Sequence, residues 1–424
     1  MLKITNIRWI IAGLLFIATA LSFLDRQVLS IAILKIKAEF DITDIEYGWI
    51  NTAFLVSYAI MFSVGGWLID KFGTRAGLAV SVGLWSVANA LHGLVQNITQ
   101  LGIARFFLGF GEGGCFPGAA KGVTEWFPKK ERATAMGIAI GGSALGAVVA
   151  PPLTVYLVSS LGWRGAFIIT GSIGIIWVIT WLFIFRKPSQ SKLITRKETD
   201  LINADNEEAA ISDNQYIVKV PVRKILATRQ AWVLIIIRFL LDPVFYFFMF
   251  WIPKYLNAER NVSFERVGEL LWIPFFALGV SNMFGGWISD KLIKSGITPN
   301  RARKSVMGAA ALLTMTAPLT TFVSGVGMAI FFMSLIMLAH GFWITNYITV
   351  TSELFGKHAT STVVGMAGSA GAVAGLIINP LIGVVVQNYS YMPLWIIAGI
   401  LYPLAFLLLI IFIREIKPVL NLYK

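Results

Sequence analysis

The sequence predicts an all-α membrane protein with twelve transmembrane helices in two six-helix bundles, and three observations carry that expectation. Of its 424 residues, 57% are hydrophobic and 13% charged, with a mean hydropathy of +0.74, whereas a soluble domain carries about 25% charged residues. Apolar windows of about 20 residues, the length that crosses a bilayer, recur along almost the whole chain. A short motif also appears once in each half, on either side of the only long polar stretch.

The apolar runs are continuous, as in Ile173 to Phe185 and Leu401 to Ile413, where a barrel strand would alternate polar and apolar residues. Inside a bilayer only helices and closed barrels satisfy every backbone hydrogen bond, so these runs read as helices. In order they fall at about 9–34, 47–69, 76–95, 98–124, 133–158, 163–185, 228–255, 264–290, 303–323, 326–355, 359–387 and 391–413. The first contains Asp25 and Arg26 and no small-residue cleavage site, which reads as a retained span and not a removed signal.

The formal charge of +13 is explained by placement and not by a nucleic-acid partner. With the N-terminus inside, about 25 of the 35 Lys and Arg fall in cytoplasmic loops and tails, about 6 outside and about 4 within helices, as the positive-inside rule requires. Both termini are then cytoplasmic. One cysteine, Cys115, cannot form an intramolecular disulfide, and no Cys and His cluster has metal-ligand spacing. No metal or cofactor is expected.

The polar stretch from Arg186 to Arg229 divides the chain into residues 1–186, a cytoplasmic linker at 187–227, and residues 228–424. Across it, Gly65-Gly66-Trp67-Leu68-Ile69-Asp70-Lys71-Phe72 is echoed by Gly285-Gly286-Trp287-Ile288-Ser289-Asp290-Lys291-Leu292. Each copy ends the second helix of its half, as duplication about an axis along the membrane normal would give.

These residues resemble the major facilitator superfamily, whose loop after the second helix has the pattern that Gly66, Asp70, Lys71, Gly73 and Arg75 fit. The resemblance implies that this loop, with Asp290 of the degenerate second copy, acts as a cytoplasmic gate. Within that superfamily the chain is similar to the anion:cation symporters, and above all to bacterial hexuronate, galactonate and glucarate transporters. Phe23-Leu24-Asp25-Arg26 carries this, with Arg105-Phe106-Phe107-Leu108-Gly109 continuing to Glu112 and Pro117. Glu125-Trp126-Phe127-Pro128, Ala150-Pro151-Pro152, Arg238-Phe239-Leu240 and Trp251-Ile252-Pro253 extend it. The resemblance implies a monomeric, multi-pass transporter of the cell inner membrane that carries a small organic anion, a sugar acid, together with protons. An anion exchanger or proton-coupled exporter on the same fold is the alternative. Exporters of the superfamily usually carry a Gly-Pro pair in the fifth helix, where this chain has Gly146-Ala147.

Ionisable side chains inside a helix cost about 2.5–3.5 kcal/mol each, so they normally face a cavity and have a function. Arg105 and Glu112 are seven residues apart, about two turns, and so share one helix face. A guanidinium matches a carboxylate as a planar fork, which makes Arg26 and Arg105 candidates for anion binding. Asp25 and Glu112 become candidate proton sites, because burial and a neighbouring Arg act on a carboxyl in opposite directions. The resemblance supports all four roles. The bland alternative is a set of ion pairs that hold helices together.

Tyr58 lies seven residues from both Asn51 and Gly65, and the resemblance assigns it a substrate contact. Ser143 is a weaker candidate among glycines that permit close packing. In the second half, His340, Trp343, Thr345, Asn346 and Tyr347 form a polar-aromatic patch, and Ser369 and Asn379 follow it. Trp343, Thr345, Asn346, Ser369 and Asn379 are candidates for holding sugar hydroxyls, with helix–helix hydrogen bonds as the equal alternative. Arg238 and Asp242 are four apart and are expected to pair with each other. Gly109-Phe110-Gly111-Glu112-Gly113-Gly114 has dinucleotide spacing but no preceding strand, so it reads as helix packing. The absence of a P-loop or nucleophile motif argues against ATP-driven transport and enzymatic hydrolysis, and the membrane lipid is the surrounding solvent.

Overall fold

A computed structural model describes residues 6–191, 193–202 and 220–419, which excludes much of the linker anticipated at 187–227. The main helices are α1 (Ile7–Phe40), α2 (Asp44–Phe72), α3 (Thr74–His92), α4 (Ile98–Glu112), α5 (Cys115–Trp126) and α6 (Lys129–Ile184) before the linker. After it come α7 (Arg229–Ala258), α8 (Phe264–Lys294), α9 (Pro299–Thr314), α10 (Val326–Asn388) and α11 (Met392–Phe412). Among the described residues no strand occurs, and eight helices, or nine counting one bent pair within α2, are long and apolar enough to cross a membrane.

The twelve expected segments coincide with these helices apart from their ends, the ninth, 303–323, running past α9 through a turn into a short helix at Leu319–Phe322, and some junctions are tighter than the sequence suggests. The expected fourth helix is α4 and α5 together. The joining residues Gly113 (φ −58°, ψ −25°) and Gly114 (φ −83°, ψ −11°) keep helical angles. The expected fifth and sixth helices adjoin within α6 at Gly162 (φ 74°, ψ 167°), and the tenth and eleventh within α10 at Gly356 (φ 59°, ψ −177°). Only a residue without Cβ takes such angles cheaply, so one glycine replaces a loop.

Helix starts follow local chemistry. Asn97, Thr228, Ser263 and Thr298 cap α4, α7, α8 and α9, each side chain accepting a hydrogen bond from a first-turn amide, which satisfies one otherwise orphaned donor. Large apolar side chains such as Val80, Phe183 and Met283 are two-thirds or more exposed, as lipid-facing positions are.

Contacts divide the chain into two compact units. The first comprises residues 1–35 and 53–217, and the second comprises 36–52 and 218–424. In the first unit, the Cβ positions of Gly142 and Gly146 would fall against the backbone of Phe16 and Ala20, so α6 lies directly on α1. Trp177 of α6 donates its indole N–H to the Leu14 carbonyl at 2.8 Å. In the second unit, Trp395 packs edge-on to Phe247, Phe248 and Tyr255 with centroids 5.2–5.6 Å apart. The segment 36–52 is anchored there by Tyr47, whose hydroxyl donates to the Phe250 carbonyl at 2.6 Å. Asp44 also pairs with both Lys37 and Lys254 in this segment's surroundings.

Candidate functional site

Arg26 is the centre of a buried charged cluster in the first unit. It lies midway along α1 and is 4% exposed. Its Nε donates to Glu112 Oε2 at the end of α4, and Ser22 Oγ, one turn earlier on α1, donates to the same oxygen at 2.9 Å. Three aromatic faces surround the guanidinium, with centroids 4.4 Å away for Tyr58, 4.9 Å for Phe23 and 5.3 Å for Phe54. Such faces attract a cation through the ring quadrupole, and they exclude water from the pair.

Arg105, fully buried, donates from Nη2 to the Arg26 carbonyl at 2.9 Å and lies 4.9 Å over the Phe54 ring. The seven-residue spacing of Arg105 and Glu112 therefore brings both onto residue 26, one to its main chain and one to its side chain. Glu112 Oε1 and Arg26 Nη2 are buried without a hydrogen-bond partner. An orphaned acceptor and an orphaned donor on the two members of one ion pair are costly, and a ligand carrying both functions would relieve them.

Asp25 takes a different face of α1, since consecutive helical residues are about 100° apart. Trp85 Nε1 donates to its Oδ2 at 3.2 Å and Asn89 Nδ2 to its Oδ1 at 2.8 Å, and Asn89 also donates to Thr170 Oγ1 at 2.7 Å. The two candidate carboxylates thus have different environments: Glu112 meets a cation, whereas Asp25 is held by neutral donors from α3. Trp85, Asn89 and Ser22 were not singled out from sequence, although an Asn four residues after a Trp in an apolar helix is a readable signal.

The other candidates are dispersed. Tyr58 joins the cluster through Arg26. Ser143 donates to the carbonyl of Ile140 on its own helix at 2.8 Å. In the second unit, Thr345 donates to the Asn282 carbonyl at 3.2 Å and Asn346 to the Gly285 carbonyl at 3.0 Å. Asn379 accepts from Trp251 Nε1 at 3.0 Å and donates to the Gly375 carbonyl at 2.9 Å. Thr345, Asn346 and Asn379 therefore tie helices together. Trp343 is buried with its indole N–H unpaired and its ring edge-on to Tyr402 at 5.7 Å. Ser369 is half-buried on α10.

The motif residues gather at one end of each unit. Asp70 pairs with Lys121 of α5 at 2.8 Å, Arg75 donates to the Leu182 carbonyl at 2.5 Å, and Lys71 lies 5.1 Å from the Trp67 ring centroid. Gly73 turns the chain at φ 84°, and Gly66 passes Pro117, whose Cβ would stand 3.6 Å from an added Cβ. In the second unit Asp290 pairs with Arg303 at 2.8 Å, and Arg303 also reaches Glu353 at 3.4 Å. Lys121, Arg303 and Glu353 complete these clusters.

Curated relatives match the chain along nearly its full length. The hexuronate transporter of Escherichia coli (strain K12) is 28% identical over 402 residues, covering 94% of this chain and 92% of that protein. The D-galactonate transporter of Escherichia coli O6:H1 is 28% identical over 425 residues, covering 97% of each. Among solved structures, a bacterial homologue of the human lysosomal transporter spinster, in an inward-facing and unoccupied conformation, superposes with a TM-score of 0.72. It is 18% identical and covers 99% of this chain and 97% of that one, which speaks for the fold alone. The family model described as Major Facilitator Superfamily matches residues 15–379. A membrane-spanning, all-helical chain with duplicated motifs, matched by that model over most of its length, belongs to the major facilitator superfamily as a transporter related to those of sugar acids.

Proposed function

We propose that this protein is a proton-coupled symporter of a small organic anion, a sugar acid of the hexuronate or aldonate type, working by alternating access. The observation that carries this reading is the Arg26–Glu112 pair: a guanidinium and a carboxylate buried together, each with one unsatisfied polar atom. A substrate carboxylate that engages Arg26 displaces Glu112. The freed, buried carboxylate then favours its protonated form, because desolvation penalises the charged one. Substrate and proton affinity become linked reciprocally.

In this reading Arg26 and Arg105 hold the anion, Tyr58 contacts its carboxylate or a hydroxyl, and Glu112 and Asp25 carry protons. Ser143, Trp343 and Ser369 supply hydroxyl contacts, as do Thr345, Asn346 and Asn379 when their present helix–helix partners are exchanged. Gly66, Asp70, Lys71, Gly73, Arg75 and Asp290 form the cytoplasmic gate. The working halves are residues 1–186 and 228–424, joined by the linker, in a monomer of the inner membrane with both termini cytoplasmic. The relatives named as hexuronate and galactonate transporters support the substrate class.

The test is uptake of labelled glucuronate, galacturonate and galactonate into proteoliposomes with and without an inward proton gradient. Accumulation that requires the gradient supports symport. Uptake indifferent to the gradient but stimulated by internal anion supports exchange and removes proton coupling.

A further inference from the structure

Two spaces of opposite chemistry adjoin at one end of the first unit. The first is a polar cavity of about 420 Å³, bounded by the turn after α2, the start of α3, α5, and the end of α6 with the residues that follow it. Its lining carries four cations, Lys71, Arg75, Lys121 and Lys187, and two anions, Asp70 and Glu125. The second is a groove of about 430 Å³ along α2, α3 and the end of α4, lined by apolar or small residues that include Leu68, Val80, Leu84 and Phe110. Its one hydroxyl, that of Ser81, is already spent on the Gly111 carbonyl at 2.6 Å. Phe72 and Ala76 border both spaces.

The charges of the cavity do not cancel. Asp70 is taken by Lys121 at 2.8 Å, and Arg75 spends a donor on a neutral acceptor, the Leu182 carbonyl. Lys71 lies over aromatic faces, 5.1 Å from the Trp67 centroid and 5.5 Å from that of Phe72. The lining therefore sets Lys71, Arg75 and Lys187 against the single carboxylate of Glu125. That carboxylate is itself half used: its Oε1 accepts from Thr74 Oγ1 at 2.9 Å, while its Oε2 is buried without a hydrogen-bond partner. An acceptor in that state is costly unless a donor reaches it.

An occupant that suits both spaces has an anion for the basic side chains, a hydroxyl for Glu125 and an apolar chain for the groove. A free phosphate would fill the cavity and leave the groove empty, and a simple hydrocarbon would do the reverse. A glycerophospholipid with an anionic, hydroxyl-bearing headgroup does both. Basic pockets between helices at a membrane surface attract such headgroups. The surroundings fit a bilayer boundary: Trp67, one turn before Lys71, is 59% exposed, as aromatic residues at the headgroup level are. Phe72 and Val80 are 62% and 67% exposed, so the groove is open to the hydrocarbon beyond it.

We propose that the first unit carries a binding site for an anionic glycerophospholipid, phosphatidylglycerol being the simplest that fits. Its phosphate lies among Lys71, Arg75 and Lys187, a headgroup hydroxyl donates to Glu125 Oε2, and one acyl chain follows the groove past Ala76 and Val80. The bound lipid ties the turn after α2 to the residues after α6. Neither lining includes Arg26 or Glu112, and the site does not depend on which acid is transported.

The test titrates the full-length protein in detergent with dioleoyl phosphatidylglycerol, phosphatidylethanolamine or phosphatidylcholine and counts bound lipid by native mass spectrometry. One phosphatidylglycerol is expected to bind in preference to the other two. Its affinity should fall roughly fivefold in K71Q and in K187Q, the scale of one charge at an anionic surface, and roughly 25-fold in K71Q/K187Q. Both lysines are exposed, so these variants should fold. K291Q removes the lysine 5.1 Å from the Trp287 centroid in the second unit and should keep the parent affinity. A76F, which fills the junction of cavity and groove, should weaken the lipid, and glycerophosphoglycerol, the headgroup without chains, should compete poorly. Equal binding of the three lipids, a preference for either zwitterionic one, an unchanged double variant, or a loss in K291Q equal to that in K71Q overturns the proposal. Unchanged binding in A76F, or glycerophosphoglycerol as effective as the lipid, overturns it in favour of a free phosphate ester. If A76F is not recovered as a monodisperse protein, the competition by glycerophosphoglycerol decides the role of the groove.

Discussion

Glu112→Gln is the most informative single change, because it removes one charge and leaves the shape. Arg26 would lose its counter-ion at a position 4% exposed. Breaking a buried pair in this way costs about 3–5 kcal/mol. Part of that cost is offset, because the amide oxygen of the new side chain still accepts from Ser22 and Arg26. The expected destabilisation is therefore the lower part of that range, about 3 kcal/mol or less, visible as a lower thermal midpoint without loss of folding. For transport, the substrate carboxylate no longer competes with Glu112 for Arg26, so binding should be as tight as in the parent or tighter. No proton is then needed to release the pair. In proteoliposomes, gradient-driven accumulation of labelled sugar acid is expected to vanish while counterflow between equal internal and external pools continues. Accumulation at the parent level under the gradient would refute Glu112 as the proton site, and loss of counterflow as well would show that Glu112 is needed for binding or for movement and not for coupling alone.

Three further outcomes follow from the contacts. Asn89→Ala deletes one of the hydrogen bonds seen on buried Asp25; a buried polar group left without its partner costs about 1–3 kcal/mol, so the thermal midpoint should fall, and on the proposed role of Asp25 the proton dependence of uptake should shift. Lys121→Gln breaks a pair whose Asp70 side chain is 73% exposed, and exposed pairs contribute about 0–1 kcal/mol, so stability measured by thermal unfolding should barely change; a drop in uptake rate would then report gating. Gly146→Val places a side chain against the Ala20 backbone in the contact of α6 with α1, and size-exclusion profiles should show a protein that no longer folds to a monodisperse form.

The helices were legible because their signal is bulk apolar length, which needs no knowledge of partners. Their junctions were less so: Gly162 and Gly356 replace loops with a single left-handed residue, and a lone glycine among 39 in the chain carries no mark that distinguishes it. In the candidate site, Arg26, Arg105 and Glu112 could be found because an ion in a bilayer needs a reason. Their connectivity could not. Asp25 and Arg26 are neighbours in sequence and invite a common role, yet the helical twist sends Asp25 to Trp85 and Asn89 and Arg26 to Glu112. Polar residues of the second half were hardest to interpret, since a hydroxyl or amide that binds a sugar and one that ties two helices look alike in sequence. Thr345, Asn346 and Asn379 all make helix ties here.

The contact of Gly113 with Met61 is repeated by that of Gly341 with Ser281, at offsets of 341 − 113 = 228 and 281 − 61 = 220 residues, and this register gives that asymmetry a physical sense. Duplication begins with equal halves, and every buried ion that is retained costs stability in each copy. Where the first unit has Asp25, Arg26, Arg105 and Glu112, the second has Phe245, Tyr246, Met333 and His340, so the cost of a four-ion cluster is borne once. The pair that the second unit does carry, Arg238 and Asp242, lies four residues apart on one helix and needs no second helix to complete it. In the first unit Arg26 and Glu112 come from α1 and α4, so that pair can be opened by relative movement of two helices as well as by a competing anion. A pair opened by movement links that movement to the protonation of its carboxylate, whereas a pair within one helix moves as a body. On the proposed symport reading, proton coupling is therefore assigned to the pair that spans two helices, Arg26 and Glu112.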